Sequence, residues 1–215
     1  RHLILFPADP GECFEFAAKA LDLAERFQTP VFFLSDIDIG MNDWMVDELT
    51  WPEDYVPDRG KVMSVEDLEE INTFYRYLDV DGDTIPYRTL PGTHAKGAYF
   101  LRGSGHTKLG RYTENGDEYK EVVDRLYEKW KRAATFVPSP ILTKADRPAR
   151  YGIIAVGSSD AAVTEARDRL EAAGIPMDYL RIRGFPFNKA IDAFIEAHDE
   201  VFVVEQNRDA QLMNL

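Results

Sequence analysis

The sequence has one cysteine, Cys13, in 215 residues. An internal disulfide is therefore excluded, and so is an iron–sulfur cluster or cysteine-type zinc site built from this chain alone. One thiol and no export signal fit a reducing cytoplasm. No apolar run approaches the roughly 18 residues that span a bilayer as a helix, so a membrane is not an expected partner. Bases are short: 25 Lys and Arg stand against 38 Asp and Glu, a formal net charge of −13. Binding to a phosphate backbone needs a basic face, so nucleic acid is not expected either. Histidine is scarce, with four in all. His94 and His106 have no third ligand at a recognisable spacing, and no metal site is expected. A start methionine is lacking too. The chain opens on Arg1 with the apolar residues 3–6 close behind, and ends on Leu215 inside a helical pattern. We therefore expect a piece of a longer polypeptide.

What is present reads as a folded α/β chain of one or two domains, 45% hydrophobic and 29% charged. Residues 3–6 and 31–34 are short continuous apolar runs of the kind that form buried parallel strands. Between them Asp9 suits an N-cap, Pro10 the first helical position and Glu12 the far side of a capping box. Cys13, Phe16, Ala17, Ala20, Leu21 and Ala24 recur at helical spacing until Thr29-Pro30 stops the helix. A right-handed βαβ unit follows from this order. A parallel pair cannot cover both faces of its own sheet, so further strands are expected upstream. Ser35 and Asp36 stand at the carboxyl end of the second strand, the edge at which open parallel sheets bind ligands. They read either as a cap for a following turn or as a contact to a ligand or subunit.

Residues 43–59 form a connector with Trp44, Trp51, Pro52 and Pro57. Ser64 can cap a short acidic helix. Asp79-Val80-Asp81-Gly82-Asp83 resembles the start of a calcium loop but lacks the glycine and closing glutamate at EF-hand spacing, and reads as a tight turn. Residues 87–113 carry Gly92, Gly97, Gly103, Gly105 and Gly110 with His94, Lys96, Arg102, His106 and Lys108. A loop of this length without its own secondary structure is uncommon unless functional. It reads either as an anion-facing wall or as an irregular connection packed by Tyr99, Phe100 and Leu101. Asn115 then begins a helix with the stripe Tyr119, Val122, Val123, Leu126, Trp130 and Ala133. Prolines 138, 140 and 148 mark a linker.

The last part runs β-α-β-α-β, with strands at 151–156, 177–182 and 201–204, a helix that follows the turn at 157–160 and runs through 171, and a helix at 188–197. That order predicts a small parallel sheet with helices on both sides. Gly157-Ser158-Ser159 opens the first of these helices. It reads as a cap, with a weak signal for an anion site. Glu205, Gln206, Asn207 and Arg208 follow the last strand and read as a subunit-contact surface.

The segments FPADPGECFEFAAKALDLAERFQTPVFFLSD, IPYRTLPGTHAKGAYFLRGSGHTKLGRYTE and VFVVEQNRDAQL stand in that order along the chain. Together they resemble the alpha subunit of 2-oxoacid:ferredoxin oxidoreductases, most of all the 2-oxoglutarate type with a gamma region fused ahead of alpha. The resemblance implies a fold in which residues 1–52 are the second half of a thiamine-diphosphate pyrimidine-type domain. Residues 53–145 are then a connector, and 146–215 a transketolase C-terminal-like domain. It implies oxidative decarboxylation of a 2-oxoacid to an acyl-CoA, with thiamine diphosphate and Mg shared with a beta subunit. Coenzyme A is the co-substrate, an iron–sulfur cluster on beta takes the electrons, and ferredoxin accepts them. The activating glutamate and the threonine and arginine that hold substrate in relatives belong upstream, so no catalytic residue is expected here and the piece alone is expected to be inactive. Ser35, Asp36, His94, Arg102, His106 and Lys108 become candidates for a site wall. Glu205 to Arg208 become candidates for the subunit contact. The sequence departs from the family at residues 103–108, which are less acidic than in relatives, and this leaves the substrate open. The alternatives are a non-catalytic assembly module and a flavodoxin-like nucleotide binder, the latter disfavoured by the missing glycine fingerprint.

Overall fold

The computed structural model describes residues 2–100 and 103–215. Its strands are β1 (Leu3–Leu5), β2 (Val31–Phe33), β3 (Ile141–Thr143), β4 (Tyr151–Ala155), β5 (Met177–Arg181), β6 (Gly184–Phe185) and β7 (Glu200–Val204). Its helices are α1 (Pro10–Phe27), α2 (Ile37–Met41), α3 (Val65–Glu70), α4 (Gly116–Arg132), α5 (Ser159–Ala172), α6 (Lys189–Glu196) and α7 (Gln211–Asn214). Two compact units arise from them. One comprises residues 22–29 and 57–133; the other comprises 2–21, 30–56 and 134–215. These units cut across the boundaries at 52 and 145 read from the sequence.

The second unit holds two sheets. In the smaller one β1 lies between β2, parallel to it, and β6, antiparallel to it. In the larger one the order is β3-β5-β4-β7, parallel except for β3 at the edge. The expected parallel sheet is present, but β3 falls in the segment read as a linker. The expected βαβ unit is present too, and β6 was not foreseen. Successive residues of β4 and β5 point to opposite faces. Ile153, Ala155, Met177 and Tyr179 pack with Val163 of α5, while Ile154, Leu180 and Ile182 pack with Ile191 and Phe194 of α6. That alternation puts a helix on each side of the sheet. By contrast Phe32, Phe33 and Leu34 along β2 stay exposed.

At the start of α1 the capping differs from the reciprocal box. Asp9 Oδ1 accepts from the Glu12 amide at 2.8 Å, as an N-cap should. Glu12 reaches past Asp9, and its Oε2 accepts from the Ala8 amide at 2.9 Å. The same carboxylate accepts from Arg181 Nη1 at 2.6 Å and Nη2 at 2.9 Å, and Arg183 Nε lies 2.7 Å from Oε1. Glu12 and Arg181 are 8% and 7% exposed, so this is a buried ion pair. Burial raises the Glu12 pKa; the bonds from Arg181 and Ala8 and the charges of Arg181 and Arg183 outweigh it and hold the carboxyl below its usual range. The buried line of α1 is Glu12, Phe16, Leu23 and Phe27. Ala17 and Leu21, expected inside, are exposed. The helix offers apolar residues on most of its faces, and the tertiary partners select the line.

The first unit packs Leu23 and Phe27 with Leu68, Phe74, Ile85, Val122 and Ala133 as its buried apolar residues. Ser64 and Asp67 form a reciprocal capping box on α3, and Asn115 accepts from the amides of Asp117 and Glu118 at the start of α4. The turn at residues 79–84 is made by Asp79, which accepts from the Gly82 and Thr84 amides. Asp79, Asp81 and Asp83 bring carboxylate oxygens within 4.8 Å of one another. The Lys61 ammonium stands 2.6 Å from both Asp81 and Asp83. Val122 of α4 and Ala133 just after it are buried as expected, but Tyr119, Val123 and Leu126 are exposed. Lys129 is buried instead, and its Nζ donates to Phe27 O at 2.6 Å. A cation at the carbonyl end of α1 complements that helix's dipole.

Lys129 carries a pH consequence. Burial, then Arg125 and Arg76, lower its pKa from 10.5 to about 8. Between those values the unfolded chain binds more protons than the folded one, so stability rises with pH across that window. The rise is roughly 3 kcal/mol at full extent. Urea unfolding of the intact protein from pH 7.5 to 10.5 is expected to show it, and Lys129→Met is expected to flatten it. Glu12→Gln is expected to destabilise by about 3–5 kcal/mol, because it leaves two guanidinium groups facing an uncharged side chain. A loss below about 1 kcal/mol in the same assay would contradict this account of the pair.

Candidate functional site

The carboxyl ends of four strands in the second unit converge. Phe6 follows β1, Leu34-Ser35-Asp36 follow β2, Val156-Gly157 follow β4 and Glu205-Gln206-Asn207 follow β7. They line one cavity of about 350 Å³, with Ile4, Ser159, Gln211, Leu212 and Leu215 completing it. The wall is apolar on the β1 and α7 sides and polar where Ser35, Asp36, Ser159, Gln206 and Asn207 meet it. Such clefts at strand ends are where open parallel sheets take ligands.

Asp36 is the organising side chain. Its Oδ1 accepts from the Ile39 amide at 3.1 Å and so caps α2. Its Oδ2 accepts from the Ser158 amide at 2.7 Å. Gly157 has φ +64°, and a Cβ built there would lie 2.5 Å from Asp36 Oδ2. Glycine is thus required twice, for the left-handed backbone and for the approach of the carboxylate. Ser158 Oγ donates to Asp38 Oδ2 at 3.3 Å. Burial raises the Asp36 pKa, but the bonds from Ser158 and Ile39 outweigh it and lower it. Ser158 was expected to cap α5. Its side chain makes no capping bond there, because its hydroxyl and amide are both turned to the two aspartates. The anion held by the Gly157-Ser158-Ser159 turn is this chain's own Asp36.

On the opposite side Glu205 accepts from the amides of Leu212 at 2.8 Å and Met213 at 3.3 Å. Asn207 Oδ1 accepts from Asp209 and Gln211. Gln206 Nε2 donates to Ser159 Oγ at 3.4 Å. Arg208 turns to Asp209, and its side chain is 90% exposed. Glu205, Gln206 and Asn207 therefore join Ser35 and Asp36 around one cavity, and Arg208 does not line it.

The glycine-rich segment lies wholly in the first unit. His94 Nδ1 accepts from the Lys96 amide at 3.1 Å and caps a single 3₁₀ turn, Ala95–Gly97. Lys96 Nζ donates to the carbonyls of Glu69 and Ile71. The His106 ring stacks on Tyr77 with centroids 4.0 Å apart, and its Nδ1 meets Thr107 O at 3.0 Å. Lys108 pairs with Glu121 at 3.0 Å. His94, His106 and Lys108 thus tie the segment to itself and to Tyr77 and Glu121 in the same unit. Arg102 lies outside the described residues. A separate cavity of about 290 Å³ is lined by Tyr77, Asp79, Lys108, Glu121 and Arg125 among others. Sequence reasoning passed over Arg181 and Arg183. Arg181 could have been found, as a charged residue between the apolar Leu180 and Ile182 of the expected strand at 177–182.

Comparison with known proteins bears on the fold first. The chain superposes on a solved 2-oxoglutarate:ferredoxin oxidoreductase from Magnetococcus marinus, determined with 2-oxoglutarate, coenzyme A and succinyl-CoA bound. The TM-score is 0.84 over 99% of this chain and 36% of that chain, at 24% identity. This establishes an α/β fold shared with part of that enzyme. No protein-family model matches the chain. Curated relatives carry the likeness further, to alpha subunits. Subunit alpha of 2-oxoacid:ferredoxin oxidoreductase 2 from Aeropyrum pernix is 26% identical over 99% of this chain and 33% of its own length. Subunit alpha of the corresponding enzyme 1 from Sulfurisphaera tokodaii is 28% identical over 97% of this chain and 32% of its own length. The 2-oxoglutarate synthase subunit KorA of Methanothermobacter thermautotrophicus is 27% identical over 95% of this chain and 52% of its own length. The resemblance to 2-oxoacid:ferredoxin oxidoreductase alpha subunits is borne out. The chain spans about a third to a half of the length of these relatives.

Gly157→Ala tests the Asp36 anchor. It is expected to cost about 2–4 kcal/mol, from the left-handed backbone and a charge-assisted bond. In an Asp36→Ala background the cost should fall to the backbone part alone. A double-mutant cycle by thermal unfolding reads the difference, and additive losses would contradict the anchor.

Proposed function

We propose that the chain is part of the alpha subunit of an enzyme that oxidatively decarboxylates a 2-oxoacid, with 2-oxoglutarate favoured. In this reading CO2 leaves the substrate, coenzyme A takes the acyl group, and the electron pair passes through an iron–sulfur cluster to ferredoxin. The observation that carries the reading is similarity to oxidoreductase alpha subunits along nearly the whole chain. Residues 1–52 then belong to a pyrimidine-type domain, and residues 146–215 to a transketolase C-terminal-like one.

The described residues do not fit the diphosphate of thiamine diphosphate or its magnesium. The Ser158 amide is held by Asp36, and two carboxylates of the acidic turn are paired with Lys61. The cofactor is therefore assigned to the upstream part of alpha and to a beta subunit, with the cluster on beta, and no step is routed through these residues. What this chain contributes is a wall: Ser35, Ser159 and Gln206 offer hydrogen bonds in a cavity also lined by Asp36, Glu205, Asn207 and Gln211 and by apolar residues such as Phe6 and Leu34. The sequence pattern fits a cytoplasmic enzyme, and among the described residues no helix is long and apolar enough to cross a membrane.

The test is the full-length polypeptide assembled with its beta partner and assayed for ferredoxin reduction with coenzyme A. The highest turnover is expected on 2-oxoglutarate, with less on pyruvate and branched 2-oxoacids. No reduction with any of them would reject the enzyme reading in favour of a non-catalytic assembly module. Gln206→Leu is expected to lower kcat/KM by roughly 5-fold, the value of one neutral hydrogen bond. His106→Ala is expected to leave kcat/KM within about 2-fold, because its ring packs on Tyr77 within the first unit and does not line the cavity.

A further inference from the structure

Between α2 and α3 the backbone forms no helix or named strand, and residues 42–56 run as an arm within the second unit. Two tryptophans pin it. Trp44 Nε1 donates to Asp38 O at 2.9 Å, and Trp51 sits edge-on to Phe14 and Tyr55 at 5.8 and 5.0 Å. Beside and between these pins the apolar side chains are turned outward. Met45 is 100% exposed and Met41 78%, and Val46 and Leu49 are exposed as well. Single exposed apolar residues are ordinary, but four of them within nine residues of a long irregular segment mark a contact surface.

The charge of the arm is one-sided. Residues 41–56 contain Asp43, Asp47, Glu48, Glu53 and Asp54 and no lysine or arginine. Acids flank the apolar positions in sequence, the pattern of an apolar anchor with a polar rim. A second copy of this chain, of net charge −13, would meet the arm with like charge. The complementary surface is a polypeptide with basic residues around apolar pockets.

We propose that residues 41–56 are a docking arm for the partner subunit of the enzyme proposed above, with Met45, Val46 and Leu49 as its anchors. This inference rests on that functional reading. The occupant is a basic face of the partner, and the contact combines buried apolar side chains with salt-sensitive attraction.

The test uses the full-length polypeptide and its partner subunit, with assembly measured separately from turnover. Hydroxyl-radical footprinting is expected to show Met45 oxidised readily in the free chain and protected in the complex. The triple change Met45→Ser, Val46→Ser, Leu49→Ser alters only exposed side chains, and is expected to weaken association by at least about 10-fold. The double change Asp47→Lys, Glu48→Lys is expected to weaken it by a similar factor at low salt and to flatten its salt dependence. Unchanged affinity in both variants, or equal oxidation of Met45 in free chain and complex, would overturn the proposal. Protection of Met45 in the full-length chain without the partner would also overturn it, since the occupant would then be the rest of the same polypeptide or a second copy. A complex that protects Met45 but reduces no ferredoxin would leave the arm standing and reject the enzyme reading.

Discussion

One carboxylate connects the two ends of the second unit. Glu12 sits in the first turn of α1 and meets Arg181 and Arg183, 169 residues or more along the chain. Removing such a group from water is expensive, and the cost is offset only when every acceptor position is filled. Here the Ala8 amide and two Arg181 nitrogens donate to it, and Arg183 Nε, 2.7 Å from Oε1, adds charge without a hydrogen bond. A pair of this kind adds less to net stability than an apolar pair of similar volume would. It discriminates instead, because any other registration of the chain strands a buried charge. The small sheet containing β1 and β6 and the large sheet containing β4 and β5 are thereby held in one arrangement, and the cavity at their strand ends depends on it.

A second regularity concerns the bases. In a chain with so few of them, several donate to backbone carbonyls, Lys61 while also paired with Asp81 and Asp83. Lys129 donates to Phe27 O, Lys96 to Glu69 O and Ile71 O, Arg125 to Thr84 O, and Lys61 to Ile85 O. Each satisfies carbonyls at a helix end or in an irregular segment, where no backbone donor is available. The first unit, poor in strands, is held together by side chain to carbonyl bonds of this sort.

The sequence was most readable where local rules act. Ser64, Asn115 and Asn188 announce helix starts, and the apolar runs of β4, β5 and β7 announce the larger sheet. Ser35, Asp36 and residues 205–207 were identifiable because the carboxyl edge of a parallel sheet is a general meeting place for polar groups. Strands β3 and β6, three and two residues long, carry too little periodicity to be seen. The buried sides of α1 and α4 were misplaced, since both helices offer apolar residues in several directions and the choice is made by distant partners. The basic loop looked like a binding element for the same reason: the carbonyls that take Lys96 Nζ and the Tyr77 ring under His106 lie 25 or more residues away, and spacing along the chain says nothing of them.

The aspartate lodged against Gly157 and Ser158 has one more implication. A tethered carboxylate competes with any dissolved anion at an effective concentration on the order of millimolar or more. A phosphate compound at lower concentration does not displace it. The turn that opens α5 is therefore a latch already closed by its own chain, and this edge of the fold keeps its shape whatever phosphorylated metabolites surround it.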